Sequence, residues 1–166
     1  MKIFAAALLM AFSTLPSLAQ DLTRSEALAL RDVMTRVDQA RWRYIDALRA
    51  IRGSRIVQVR WFDRKQDVEQ LGPDTFRLWL RTDYAPPMTS GRLVIGYSID
   101  QTEWNCRSSQ VRYGPTRTFG TDGKALANSD DWEAWHTMRP GSVGEAQLET
   151  LCRLIRSGKL HEEKKQ

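Results

Sequence analysis

The 166-residue sequence predicts an α+β fold, an antiparallel β-meander packed by a C-terminal helix that one disulfide ties to the sheet, with an additional N-terminal helix. Three observations carry this. From 55 onward, short alternating runs are separated by turn residues and not by crossover helices, which is the pattern of antiparallel neighbours. Residues 140–158 hold a full set of helix start and stop signals. The two cysteines fall one on a β-type stretch (Cys106) and one on the apolar stripe of that helix (Cys152). With 42% hydrophobic and 27% charged residues the chain suits one globular domain, placed at 20–160.

Residues 1–19 read as a signal peptide. Lys2 gives a positive start, 3–12 is apolar, and Ser17-Leu18-Ala19 offers small residues at the cleavage positions. The apolar run is shorter than the about 20 residues a spanning helix needs, so a retained anchor is the weaker reading. Cleavage after Ala19 leaves a mature chain beginning Gln20-Asp21, without a transmembrane helix and without a cysteine there to carry lipid. Export to the periplasm or the cell surface, with no lipid anchor, is therefore expected.

Helical spacing of Leu30, Val33, Met34 and Val37 predicts a helix over 22–37, with Thr23 and Glu26 as its capping box. Residues 40–52 fit two patterns: the helical spacing continues, yet Trp42-Arg43-Tyr44-Ile45-Asp46 alternates and is aromatic-rich. Gly53-Ser54 make a turn into a strand over 55–62, with Val57, Val59 and Trp61 on one face. Residues 66–74 read as a polar loop closed by Gly72-Pro73. Over 75–81, Phe76, Leu78 and Leu80 point inward and Arg77, Trp79 and Arg81 outward. Pro86-Pro87 exclude 83–91 from a central strand. Residues 92–99 form the next strand, burying Leu93, Ile95, Tyr97 and Ile99, and Trp104 and Cys106 belong to a following one that reaches Val111 and Tyr113. Asp122-Gly123 signals a hairpin. Ser142 and Glu145 stand at N-cap and N3 spacing, Pro140-Gly141 stop what precedes them, and Gly158 ends the helix. The tail 161–166 reads as disordered.

In an exported chain, two cysteines so placed are expected to pair. A catalytic thiol would need a base, and the chain has only His136 and His161; no metal-ligand spacing occurs, so neither metal nor cofactor is expected. No nucleophile elbow or phosphate loop is present either. A hydrolase would have to gather His136 with the acids Asp130, Asp131 and Glu133, which read as a solvated loop.

Tyr97-Ser98-Ile99-Asp100 with Cys106-Arg107, then Asp122-Gly123, a tryptophan (Trp132 or Trp135), the run from Pro140 to Glu145, and Cys152 resemble the signature of the surface-adhesin protein E family. The resemblance covers the last half of the chain, with Tyr44-Ile45-Asp46 and the strand ending at Trp61 similar to the family's opening strands. It implies an antiparallel sheet, a C-terminal helix, a Cys106–Cys152 bridge, and a Ser142/Glu145 cap. The chain departs from the family pattern in placing 101–105 between the Ile-Asp pair and the first cysteine, and in lacking a lipid-bearing cysteine.

The function predicted is binding without catalysis. Ten basic side chains fall between Arg31 and Lys65 against four aspartates, and the net charge of +5 becomes +4 once Lys2 leaves with the signal peptide. Such a surface suits a protein partner or an acidic glycan, and arginine forks match carboxylate and sulfate. Arg55, Arg60, Arg77, Trp79 and Arg81 form the candidate binding surface, such residue types being the usual anchors of interfaces. The blander reading makes these arginines solvated outer faces and lays Trp79 under the 22–37 helix. Trp61 and Trp104 fall on core phases. Export and the lack of a recognised module exclude nucleic acid. A homodimer is compatible with this reading. The rival function is a periplasmic accessory or inhibitor protein acting on an envelope partner.

Overall fold

The computed structural model describes residues 23–49 and 57–158. The signal segment, the Gly53-Ser54 turn, Arg55 and the 161–166 tail lie outside the described residues. Helix α1 (Arg24–Arg36) starts where its sequence dictates. Thr23 Oγ1 accepts from the Glu26 N–H at 3.3 Å, and Glu26 Oε2 accepts from the Thr23 N–H at 2.7 Å. It stops at Val37, which turns extended. A turn in which Asp38 O accepts from the Trp42 N–H at 2.8 Å then begins β1 (Trp42–Arg49). Within the ambiguous stretch, 42–49 are thus a strand, and 50–52 lie outside the described residues. Its aromatic phase wins because Trp42 and Tyr44 pack into the cluster beneath α1.

The remaining strands are β2 (Val57–Asp63), β3 (Glu69–Gly72), β4 (Thr75–Ser90), β5 (Leu93–Asn105), β6 (Gln110–Phe119), β7 (Ala125–Ser129) and β8 (His136–Thr137), followed by helix α2 (Val143–Arg156). The sheet order β1-β2-β4-β5-β6-β7 is an antiparallel meander, with β3 added to β4 and β8 to β6. At the β6–β7 turn, Gly123 adopts φ +79°, the left-handed region that an Asp-Gly hairpin requires.

Four expectations need correction. Part of 66–74 is β3, which takes the edge of β4 beyond the point where β2 ends. β4 continues through Pro86-Pro87 after a cis Ala85–Pro86 bond. The prolines are tolerated because β4–β5 pairing breaks between Asp83 and Met88, where no ladder N–H is needed from them. Trp104 ends the same strand that holds Ile95, and the turn falls later, after Asn105. Leu93, expected inside, is 40% exposed because it pairs with Ser90 at the open end of the β4–β5 hairpin.

Cross-strand partners share a face, so the register sorts the side chains into two layers. Phe62, Leu78, Leu80, Trp104 and Val111 meet Leu148, Leu151 and Cys152 of α2. Val57, Val59, Trp61 and Ala85 face the other way, toward Val33 and Val37. Both faces therefore carry a helix, α2 on one and α1 on the other. A bulge between Tyr44 and Asp46 puts Asp46 opposite Arg60.

Helix α2 is capped by Ser142, whose Oγ accepts from the Glu145 N–H at 3.1 Å. Glu145 reaches past the N-cap: its Oε2 accepts from Gly141 N–H at 2.6 Å, while the Ser142 N–H donates to Arg139 O. Leu148 and Leu151 are 3% and 0% exposed, so each contributes about 2 kcal/mol by burial. The Cys106–Cys152 disulfide then joins the helix to the β5–β6 turn, with Cα atoms 5.8 Å apart. Reduction opens a loop spanning a sequence separation of 46. Urea unfolding with and without reductant should show a loss of about 4 kcal/mol.

Candidate functional site

The sheet face that carries α1 is only partly covered by it. Toward β5 and β6 that face presents arginines laid against aromatic rings. β4 places Arg77, Trp79 and Arg81 there together, because residues two apart point the same way. Their register partners complete the surface: Arg77 lies opposite Glu103, Glu103 opposite Arg112, and Arg81 opposite Ile99.

Glu103 is the hub of one half. It is 1% exposed, and its Oε1 accepts from Arg77 Nε and Nη2 at 2.9 and 2.6 Å. Its Oε2 accepts from Arg112 Nε and Nη2 at 2.8 and 2.7 Å. Arg77 Nη1 also reaches Glu69 Oε2 at 3.0 Å. The Glu103 hydrogen bonds, and the neighbouring carboxylates, push the Arg77 guanidinium above its ordinary pKa, so its charge is fixed. Both guanidiniums lie over Trp132, at 5.3 Å from Arg77 and 5.0 Å from Arg112. Arg112 also lies 4.9 Å from Trp135, which is 36% exposed. Trp132 can come this close because Gly114 has no side chain; a Cβ there would stand 2.6 Å from the ring.

The other half centres on Arg81. Its Nε and Nη2 donate to Asp83 at 2.7 and 2.8 Å, and its guanidinium lies 3.8 Å from the Tyr97 ring. Tyr97 stacks on Phe119 with centroids 4.6 Å apart. Arg41 lies 4.9 Å from Trp42 and donates to the buried Asp63 at 2.8 Å, a bond that raises the Arg41 pKa. Tyr44, beneath α1, is pushed up to about 12 by burial and by nearby Asp46.

Of the residues singled out from the sequence, Arg77, Trp79 and Arg81 share this surface. Trp79 is half-buried on it. Arg60 does not belong. It pairs with Thr82 across β2–β4 and so points to the α2 side, where it is buried and bound to Asp46 through Nε and Nη2 at 2.9 and 2.7 Å. Alternation forces this, since Val57, Val59 and Trp61 occupy the other phase of β2. Arg55 lies outside the described residues. The sequence reading missed Glu103, Arg112 and Trp132. For Glu103 and Arg112 the signal is opposite charge on outward phases of neighbouring strands, which becomes legible only once the register is known. His136 stands exposed, 3.1 Å from Glu133, while Asp130 and Asp131 are exposed on the preceding loop. No metal-ligating cluster forms among the described residues.

A family model described as surface-adhesin protein E matches residues 55–153, from the lead into β2 to the last turns of α2. No curated protein and no solved structure matches the chain.

The Glu103 hub makes a direct prediction. Glu103→Ala leaves two guanidiniums facing each other without their carboxylate, and should cost about 3 kcal/mol in urea unfolding.

Proposed function

We propose, because the chain belongs to the surface-adhesin protein E family, that it is an exported, non-enzymatic adhesin that docks a protein partner on its arginine–aromatic face. One observation carries this reading: planar guanidiniums and indole rings are held in fixed mutual geometry on a sheet face where, among the described residues, α1 lies over β2 and β4 and leaves the β5–β6 end uncovered. Side chains already ordered by their neighbours lose little entropy on docking, and Trp, Tyr and Arg dominate binding energy.

The same pairs bear on the kind of partner. Arg77, Arg81 and Arg112 each have a carboxylate within 3.0 Å, so their charges are compensated within the protein. Arg117 is exposed on this face with no ion pair among those of the described residues. A surface so balanced favours protein docking through stacking over attraction of a polyanion. No described helix is long and apolar enough to cross a membrane.

The test is binding of the purified mature chain to immobilised extracellular-matrix proteins and, in parallel, to a sulfated glycan. Trp135→Ala and Trp79→Ala, which break no ion pair, should weaken protein binding at least tenfold, with little dependence on salt. Binding confined to the sulfated glycan, lost at high salt and indifferent to both tryptophans, would overturn the docking face. Labelling of intact cells with a membrane-impermeant reagent tests the location: a chain reached only after the envelope is opened is not a surface adhesin.

A further inference from the structure

The opposite side of the sheet holds a cavity of about 340 Å³ between the start of α2 and strands β2, β4, β5 and β6. That is the lower end of the range of small-molecule sites. Two of its walls are polar groups whose bonding is incomplete. Gln147, on α2, is only 8% exposed, and its Nε2 has no hydrogen-bond partner among the described residues. Asp100, on β5, accepts from Ser98 Oγ at 2.7 Å and forms no ion pair among the described residues. Burial raises the Asp100 carboxyl pKa, against bonds from Ser98 and Thr116 that lower it and the Glu133 charge that raises it further. A buried donor without an acceptor and a half-buried carboxylate without a cation each cost free energy that a ligand can recover.

The chemistry of the lining selects the ligand. Arg60 is the cation of the cavity, and Asp46 engages it through both Nε and Nη2. An anion would meet the carboxylates of Asp100 and Glu133, which both line the cavity, with no uncommitted positive charge to offset them. An amine would suit Asp100 but leave the Gln147 amide without an acceptor. An apolar molecule satisfies neither. A hydroxyl group both donates and accepts, so a ligand bearing several can serve both walls. Thr82, Tyr84 and Tyr113 line the space between, adding neutral hydroxyls and aromatic rings. We propose that this cavity binds a neutral, hexose-sized polyol, free or as the end of a glycan chain, with Asp100 accepting from its hydroxyls and Gln147 Nε2 donating to one of its oxygens. The proposal is independent of the docking face, which lies on the other side of the sheet.

Saturation-transfer NMR on the purified mature chain tests it, using neutral aldohexoses and oligosaccharides that end in them. At least one hexose should give a saturable signal. A matching signal from the oligosaccharides identifies a glycan end as the ligand, and its absence identifies the free sugar. Gln147→Leu should weaken binding about tenfold, as loss of one hydrogen bond to a ligand does. Asp100→Asn should weaken it similarly while melting no lower than the parent at neutral pH, because it removes a half-buried charge that no cation offsets. Trp135→Ala should leave sugar binding intact. If no hexose or oligosaccharide saturates, if an amine or inorganic phosphate binds instead, or if both cavity variants bind as the parent does, the proposal is wrong.

Discussion

Much here depends on the pleat of β4. Its side chains alternate between two layers, sending Phe76, Leu78 and Leu80 to the α2 core and Arg77, Trp79 and Arg81 to the opposite face. Each neighbouring strand inherits this division through its register. A slip by one residue would drive arginines into the α2 core and leucines into solvent. Ion pairs reinforce the register at several points. Asp46 meets Arg60 across β1–β2, and Glu103 ties Arg77 to Arg112 across three strands. These pairs give little net stability, since desolvation offsets much of their attraction, but a misregistered sheet would leave their charges buried and unmatched.

Net charge is a poor guide to this surface. The sequence carries 25 basic and 20 acidic residues, yet Arg77, Arg81 and Arg112 on the aromatic face are each paired with a carboxylate. Compensation nevertheless leaves the guanidiniums chemically useful. An arginine whose edge is held by a carboxylate still offers its flat face, and the ring beneath it limits its rotation. Arg81, between Asp83 and Tyr97, shows the arrangement most closely.

How much of this was legible in the sequence depends on whether the cause was local. The helix caps at Thr23 and Ser142, the Asp122-Gly123 hairpin and the alternation over 75–81 are decided by neighbours in the chain, and each is visible there. The pairing of Cys106 with Cys152 was legible too, from export and from the family resemblance. What depended on register was not. Arg60 was grouped with Arg77 although its own strand pattern puts it on the other phase, and the bulge that brings Asp46 to it carries no signal in the residues. β3 was hidden because it is a four-residue polar edge strand, made by the need of β4 for a partner. Residues 40–52 stayed ambiguous for a related reason. Helical spacing and strand alternation coexist in the residues, and only packing beneath α1 resolves 42–49 as a strand. The walls of the cavity, Asp100 and Gln147, lie on different elements, and no spacing in the chain joins them.

The disulfide also changes the covalent topology of the molecule. It encloses a ring that contains β6, β7, β8 and the first part of α2, together with 121–131, where every residue is solvent-exposed. A peptide bond cut within that stretch severs the backbone but not the molecule, because the two pieces stay linked through Cys106 and Cys152. A long solvent-exposed run among the described residues is thereby one whose cleavage releases no fragment while the bridge is oxidised.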